Sequence, residues 1–197
     1  MTARWVRAGG APVWAQRVSY VGEAGWELFV EPGWAVQVWD RLALAGAAVG
    51  LEPCGYRAID AARLERGFRY FGTDLTPHDT PFECGLGRFV DLSKEGFVGR
   101  EALLAGRDEA PARRLATLGV GDGGYVTVYG GEAVVADDEV VGRLRSCAYG
   151  YVVGRMLATA MLPAELGPGA RLEVEVFGDR VPAEVLAEPA LGPAGRG

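Results

Sequence analysis

The chain has 197 residues, 49% of them hydrophobic and 23% charged, with a net charge of −6. That length makes one large domain or two small ones with a proper core, and an acidic balance without any lysine- or arginine-rich tract excludes a general nucleic-acid binder. No apolar run reaches the length of a membrane span, and the N-terminus lacks the apolar core of a signal peptide. Cys54, Cys84 and Cys147 lie far apart and His78 is the single histidine. This points to free thiols in the cytoplasm rather than to disulfides or a metal site.

In chain order, residues 1–12 hold Gly9, Gly10 and Pro12 and predict an untidy leader, poor as helix or strand. A β-hairpin is expected next, centred on Gly22 to Gly25, with apolar runs at residues 18–21 and 26–30. Pro32 and Gly33 open a helix whose apolar stripe is Trp34, Val38, Leu42 and Ala45, fraying at Gly46 and Gly50. A second helix covers residues 56–66, with a stripe of Tyr56, Ile59 and either Ala62 or Leu64, and Gly67 stops it. Strand pairs and helices without βαβ spacing predict an α+β domain, not a Rossmann sheet. Residues 72–81 form a loop with Pro77, Pro81, Asp74 and Asp79, and residues 103–111 read as a linker. The domain boundary is placed there, giving parts over 1–106 and 112–190.

Beyond the linker, short strands separated by glycines are expected at residues 115–120, 126–129, 132–135 and 140–144. Residues 171–177 alternate strictly, with Leu172, Val174 and Val176 on one face. Gly178 and Asp179 are expected to turn the chain into a strand at 181–186. Together these predict a small antiparallel β-barrel or sandwich, followed by a disordered tail after Pro189.

The most informative stretch is Y-V-G-E-A-G-W-E, residues 20–27. Gly22 and Gly25 permit the tight backbone turns that present Glu23 from a fixed shape. A carboxylate so presented can accept two parallel N–H bonds from a flat, nitrogen-rich ring. The competing reading of the same residues is a hairpin with a merely solvated Glu23. There follow C-G-Y-R-A-I-D-A-A-R-L-E-R-G (54–67), F-G-T-D-L-T-P-H-D-T-P-F-E-C-G-L-G (71–87) and F-V-G-R-E-A-L (97–103). In this order and spacing they resemble the aminomethyltransferase family. That family contains the T-protein of the glycine cleavage system and the folate-binding C-terminal portions of dimethylglycine and sarcosine dehydrogenases. The resemblance runs from about Val18 to about Glu188, and the form of the 54–67 block is closer to the dehydrogenase branch. It implies a partial folate-binding α+β domain followed by a compact β-barrel.

The resemblance also implies tetrahydrofolate as the ligand, with Glu23 similar to the glutamate that pairs with the pteridine ring. Tyr20 and Trp26 are candidates to stack on that ring, or core aromatics. Glu27 reads as a structural partner. An anionic folate needs a local basic patch, for which Arg57, Arg63, Arg66 and Arg69 are candidates. The family's usual arginine before the helix aspartate is replaced here by Ile59, with Arg57 two residues earlier. Asp60, Arg63 and Glu65 read as a structural ion-pair network, and Asp74, His78 and Asp79 as turn-formers. In the barrel, R-S-C-A-Y-G-Y (145–151) occupies the place of a family segment close to the folate, which makes Tyr149 a candidate contact.

The family's transfer chemistry draws on an aspartate well upstream, whereas residues 1–19 contain no acid. No catalytic residue is therefore assigned, and signatures of a dinucleotide fold, a P-loop and a serine hydrolase are absent. Two functions follow as expectations. One is a truncated tetrahydrofolate-binding module of a one-carbon transfer protein, inactive alone. The other is a non-catalytic interaction subunit of a dehydrogenase or oxidase complex. Either way, a partner supplying the N-terminal half, or self-association, is expected to cover apolar surface.

Overall fold

The structure is a computed structural model, and it describes residues 2–191. The described residues fall into two compact units, one up to Arg63 and one from Leu64 onward.

The first unit holds a three-stranded antiparallel sheet in the order β1 (Ala3–Ala8), β2 (Ala11–Gln16), β3 (Glu27–Val30). The N-terminal segment is therefore a hairpin and not an untidy leader. Gly9 and Gly10 both take positive φ, 58° and 89°, and make the two-residue turn that matches the twist of the flanking strands. Trp5 and Trp14 face each other across the hairpin, ring centroids 5.6 Å apart. Ala11, Val13 and Ala15 point inward from β2, where Ala11 and Val13 join Val38 in a small core. The pairing expected around Glu23 is present as β2 against β3, but residues 18–21 are not a strand. The connection is the open loop 17–26.

A 3₁₀ turn (Pro32–Trp34) leads into α1 (Ala35–Gly46). Of its expected stripe only Val38 is buried, and Trp34 and Leu42 remain exposed. The second helix, α2 (Tyr56–Glu65), has its expected span. Its buried residues are Ala61, Arg63, Leu64 and Glu65, whereas Tyr56 and Ile59 are exposed.

In the second unit a short helix, α3 (Arg100–Ala105), lies partly within the expected linker. The closed antiparallel barrel follows in the order β4 (Arg113–Val120), β7 (Arg155–Pro163), β6 (Glu139–Gly150), β5 (Ala133–Ala136), β8 (Arg171–Val176), β9 (Asp179–Val185). The fold class is thus α+β with a C-terminal barrel. The strand expected at residues 126–129 is not formed, and β7 was not anticipated. Leu172, Val174 and Val176 are buried as their alternation requires. The β8–β9 turn is one residue earlier than expected: Phe177 and Gly178 carry the positive φ angles, 53° and 93°, and Val176 pairs with Asp179. Alternate residues of β4 and β7, including Leu118, Val120, Ala158 and Leu162, fill the barrel. Leu115 and Met161 on their other face pack with Cys84. Of the tail after Pro189, residues 192–197 lie outside the described residues.

Candidate functional site

Loop 17–26 starts where β2 ends. The Arg17 N–H donates to the Thr2 carbonyl at 2.7 Å, which ties the loop's first residue to the chain's N-terminal end. The Val21 N–H donates to Ser19 Oγ at 3.2 Å. Gly22 takes φ 75°, which reverses the chain just before Glu23. At Gly25 a Cβ would come 3.0 Å from the Ser19 Cβ and 3.1 Å from the Val18 carbonyl oxygen, so a side chain there would make the closed loop shift by a few tenths of an ångström. Both glycines of the motif thus have a structural reason. Between them Glu23 is exposed.

Glu23 lines a cleft of about 310 Å³ together with Thr2, Arg17, Val18, Ser19, Ala24 and Gly25. The volume sits at the lower end of small-molecule sites, about 300–1,000 Å³. Arg17 also lies over the Trp26 ring, 5.9 Å from its centroid, a cation–π contact that holds the guanidinium beside the loop. The cleft therefore offers one carboxylate, one guanidinium and two small hydroxyls. Glu23 is the only acid among its described lining residues. The arrangement suits a flat ligand with paired N–H donors on one edge and negative charge elsewhere.

Tyr20 sits half-buried on the same loop and outside the cleft's lining. Arg57 is exposed in the first turn of α2, also outside that lining. Trp26 is exposed, and Glu27 opens β3 opposite Gln16. Asp60 accepts from Arg63 Nε at 3.0 Å, as an ion pair on α2. Glu65 serves another purpose: it is buried and accepts the backbone N–H groups of Val152 and Val153 at 2.7 and 3.0 Å, tying the end of α2 to the β6–β7 turn. Arg17 and Thr2 were not singled out from the sequence. The cue was there, since Arg17 immediately precedes the apolar run leading to Glu23.

In the second unit Tyr149 is half-buried on β6 and packs against the barrel core. Its ring meets Tyr151 edge-on at 5.2 Å and Tyr125 at 6.1 Å. Asp74 and Asp79 are turn-formers and more. Asp74 is fully buried, accepts the Tyr70 N–H at 2.8 Å and receives the Thr159 hydroxyl. Asp79 accepts Thr76 N–H and Oγ–H at 2.9 and 2.8 Å, and Arg145 and Arg113 reach it from the barrel. The Arg145 hydrogen bond, aided by those of Thr76 against the cost of burial, holds the Asp79 carboxyl at about 2. His78 is exposed. All three cysteines are free. Among the described residues no cluster of histidine, cysteine and acids is arranged to hold a metal ion. Nor is any helix long and apolar enough to cross a membrane.

Two family models match the chain: the GCVT N-terminal domain over residues 1–94 and the glycine cleavage T-protein C-terminal barrel domain over residues 113–191. An aminomethyltransferase from Streptomyces coelicolor is 42% identical over 184 residues, covering 91% of this chain and 50% of that protein. The 4-methylaminobutanoate oxidase (formaldehyde-forming) of Paenarthrobacter nicotinovorans is 36% identical over 98% of this chain and 23% of its own length. Human mitochondrial sarcosine dehydrogenase is 37% identical over 90% of this chain and 19% of its own length. The chain therefore spans half, or about a fifth, of the length of these relatives. The crystal structure of glycine cleavage system aminomethyltransferase T from Bartonella henselae superposes with a TM-score of 0.82 at 24% identity. It covers 90% of this chain and 49% of that one, and it supports the fold.

Proposed function

The chain belongs to the aminomethyltransferase family that includes the glycine cleavage T-protein, and from that premise we propose that it is a tetrahydrofolate-binding module of a one-carbon transfer protein, acting in the cytoplasm. The observation that carries this reading is the open cleft with Glu23 as its one acid. Glu23 accepts two adjacent N–H groups of the pteridine ring, and Arg17 balances the ligand's negative charge. Tetrahydrofolate would supply the nitrogens that receive the one-carbon unit. Tyr20, Arg57 and Tyr149 are secondary candidates for contacts with it, and residues 1–106 and 112–190 are the working division into ligand-binding part and barrel. The test is a calorimetric titration of the folded chain with tetrahydrofolate, beside Glu23→Ala. Saturable binding that the substitution weakens supports the proposal; equal binding in both proteins, or none in either, defeats it.

A second reading, an interaction subunit of a dehydrogenase or oxidase complex, is favoured by the surface of α1. Val36, Trp39 and Leu44 are 73%, 63% and 71% exposed there. Apolar surface grouped in this way marks an interface more often than free surface. The two readings separate in the same titration: a chain that binds no tetrahydrofolate yet forms a stable complex through α1 is a subunit only.

A further inference from the structure

The sheet of the first unit has one covered face and one open face. Val6 of β1, Ala11 and Val13 of β2 and Val30 of β3 turn to the face that packs on Val38 of α1. The alternate residues turn to the other face. There the register sets Trp5, Trp14 and Phe29 side by side across all three strands. Trp5 and Phe29 are 68% and 50% exposed, and Trp14 between them is half-buried. Aromatic surface grouped in this way marks an interaction site, whereas scattered apolar residues do not.

The same face carries two exposed charges of opposite sign, one on either side of the aromatic row. Arg7 stands on β1 in the row with Pro12, and Glu27 stands on β3 in the row with Gln16. They therefore occupy diagonally opposite corners. Arg7 donates through Nη2 to the Gly10 carbonyl at 2.6 Å, and among the described residues neither charge has an ion-pair partner. Such a face is complementary to itself. A two-fold axis between two copies, perpendicular to the Arg7–Glu27 diagonal, brings each Arg7 onto the other copy's Glu27. It sets Trp14 against its mate near the axis. The strands of the two copies then cross steeply, in the manner of orthogonal sheet packing.

We propose that this open face is an interface between two copies of this chain. Aromatic residues and arginine are the types that such contacts favour. A nucleic acid would meet Glu27 with only one cation on the face to hold it, and a lipid surface would have to strip water from both charges. Three strands spaced about 4.8 Å apart and up to six residues long give a face of about 14 Å by 20 Å. That is well below the roughly 800 Å² per partner of a standard stable interface, so the dimer is a weak one that fills as concentration rises. The interface uses neither the lining of the Glu23 cleft nor the exposed surface of α1, and it stands independently of both functional readings.

The test is sedimentation velocity on the whole chain over a roughly hundredfold range of concentration. The sedimentation coefficient is expected to rise with concentration towards that of a dimer. Trp5→Ser is expected to weaken association at least about tenfold. Trp39→Ser, at a residue of α1 that is 63% exposed, is expected to leave it unchanged. Arg7→Glu and Glu27→Arg each set like charges against one another at both contacts, and each is expected to weaken association by a similar factor. The double variant, with both charges reversed, is expected to restore it. A coefficient that stays at the monomer value at every concentration overturns the proposal. A dimer that survives Trp5→Ser does the same, as does one lost in Trp39→Ser, which would put the contact on α1. Failure of the double variant to restore association, with its fold intact by circular dichroism, also overturns it. If Trp5→Ser does not fold, the charge-reversal set decides.

Discussion

Arg145 on β6 grips Asp79 with two nitrogens, Nη1 to Oδ2 at 2.9 Å and Nη2 to Oδ1 at 3.2 Å. The same Nη1 also donates to the Asp74 carbonyl oxygen at 2.6 Å. One side chain of the barrel therefore fixes the loop at both of its aspartates, and the Asp79 side chain is only 2% exposed. Removing this cation leaves the buried carboxylate with only the longer ionic contact to Arg113 at 3.3 Å, which costs more than a surface pair is worth. Arg145→Met is expected to lower unfolding free energy by about 3 kcal/mol, read as a fall in the urea midpoint. An unchanged midpoint contradicts this.

The acid response of the same pair has a definite sign. Asp79 is lowered from an ordinary 3.8 to about 2, first by the Arg145 hydrogen bond and then by Thr76, against burial. A carboxyl depressed in the folded state contributes stability that is full above its unfolded pKa and lost as pH falls through the folded value. The contribution, on the order of 2 kcal/mol, therefore disappears between about pH 4 and pH 2. Urea midpoints measured across that window should fall in the wild type and fall less steeply in Asp79→Asn. Parallel slopes in the two proteins would remove Asp79 from the account.

Glu23 and Arg17 make a paired prediction at the cleft. Replacing an ionised acceptor of ligand N–H groups costs about 2 kcal/mol, or roughly thirtyfold in affinity. Glu23→Gln, which turns one acceptor oxygen into a donor, should weaken tetrahydrofolate binding by about that factor and leave the melting temperature unchanged. Arg17→Gln should weaken it less and make the remaining binding less sensitive to salt. An affinity indifferent to both changes would return Glu23 to the role of a solvated turn residue.

The thiols differ in environment and should differ in rate. Cys54 is exposed, whereas burial raises the Cys84 thiol and pushes Cys147 up to about 12. Only a thiolate reacts quickly. A disulfide reagent at pH 8 should label Cys54 rapidly in the native chain and reach Cys84 and Cys147 only in denaturant. Fast labelling of Cys147 in the native chain would show the barrel opening readily.

How far the sequence disclosed this architecture depended on how many faces of each element are buried. β8 was legible because Leu172, Val174 and Val176 face the core while Arg171, Glu173 and Glu175 face water. β7 was not, because M-L-A-T-A-M-L is buried on both sides. Ala158 and Leu162 fill the barrel, while Thr159 meets Asp74 and Met161 packs beside Cys84. An uninterrupted apolar run has no period to read. The β1–β2 hairpin was hidden by its own turn, since Gly9 and Gly10 read as breakers until their positive φ angles are seen. The motif around Glu23 was legible as a motif, but the cation beside it was not. Arg17 comes to the cleft through the path of loop 17–26, which no periodicity encodes.

Catalysis is the last expectation. Aminomethyl transfer requires a carboxylate placed within hydrogen-bond reach of the reacting amine, at a pKa suited to moving its proton. Among the residues lining the Glu23 cleft, Glu23 is the only acid, and the proposed ring contact occupies both of its oxygens. Asp74 and Asp79 do not offer a substitute. The first is fully buried against Thr159 and the Tyr70 N–H, and the second is locked by Arg145 and held far below neutrality as an anion. The chain on its own should therefore bind tetrahydrofolate without forming methylenetetrahydrofolate from an aminomethyl donor. A single-turnover assay with the folded chain in excess over ligand checks this directly. Turnover that survives in the wild type and vanishes in Asp74→Asn or Asp79→Asn, with the fold intact by circular dichroism, would make the buried loop part of an active site and overturn the assignment.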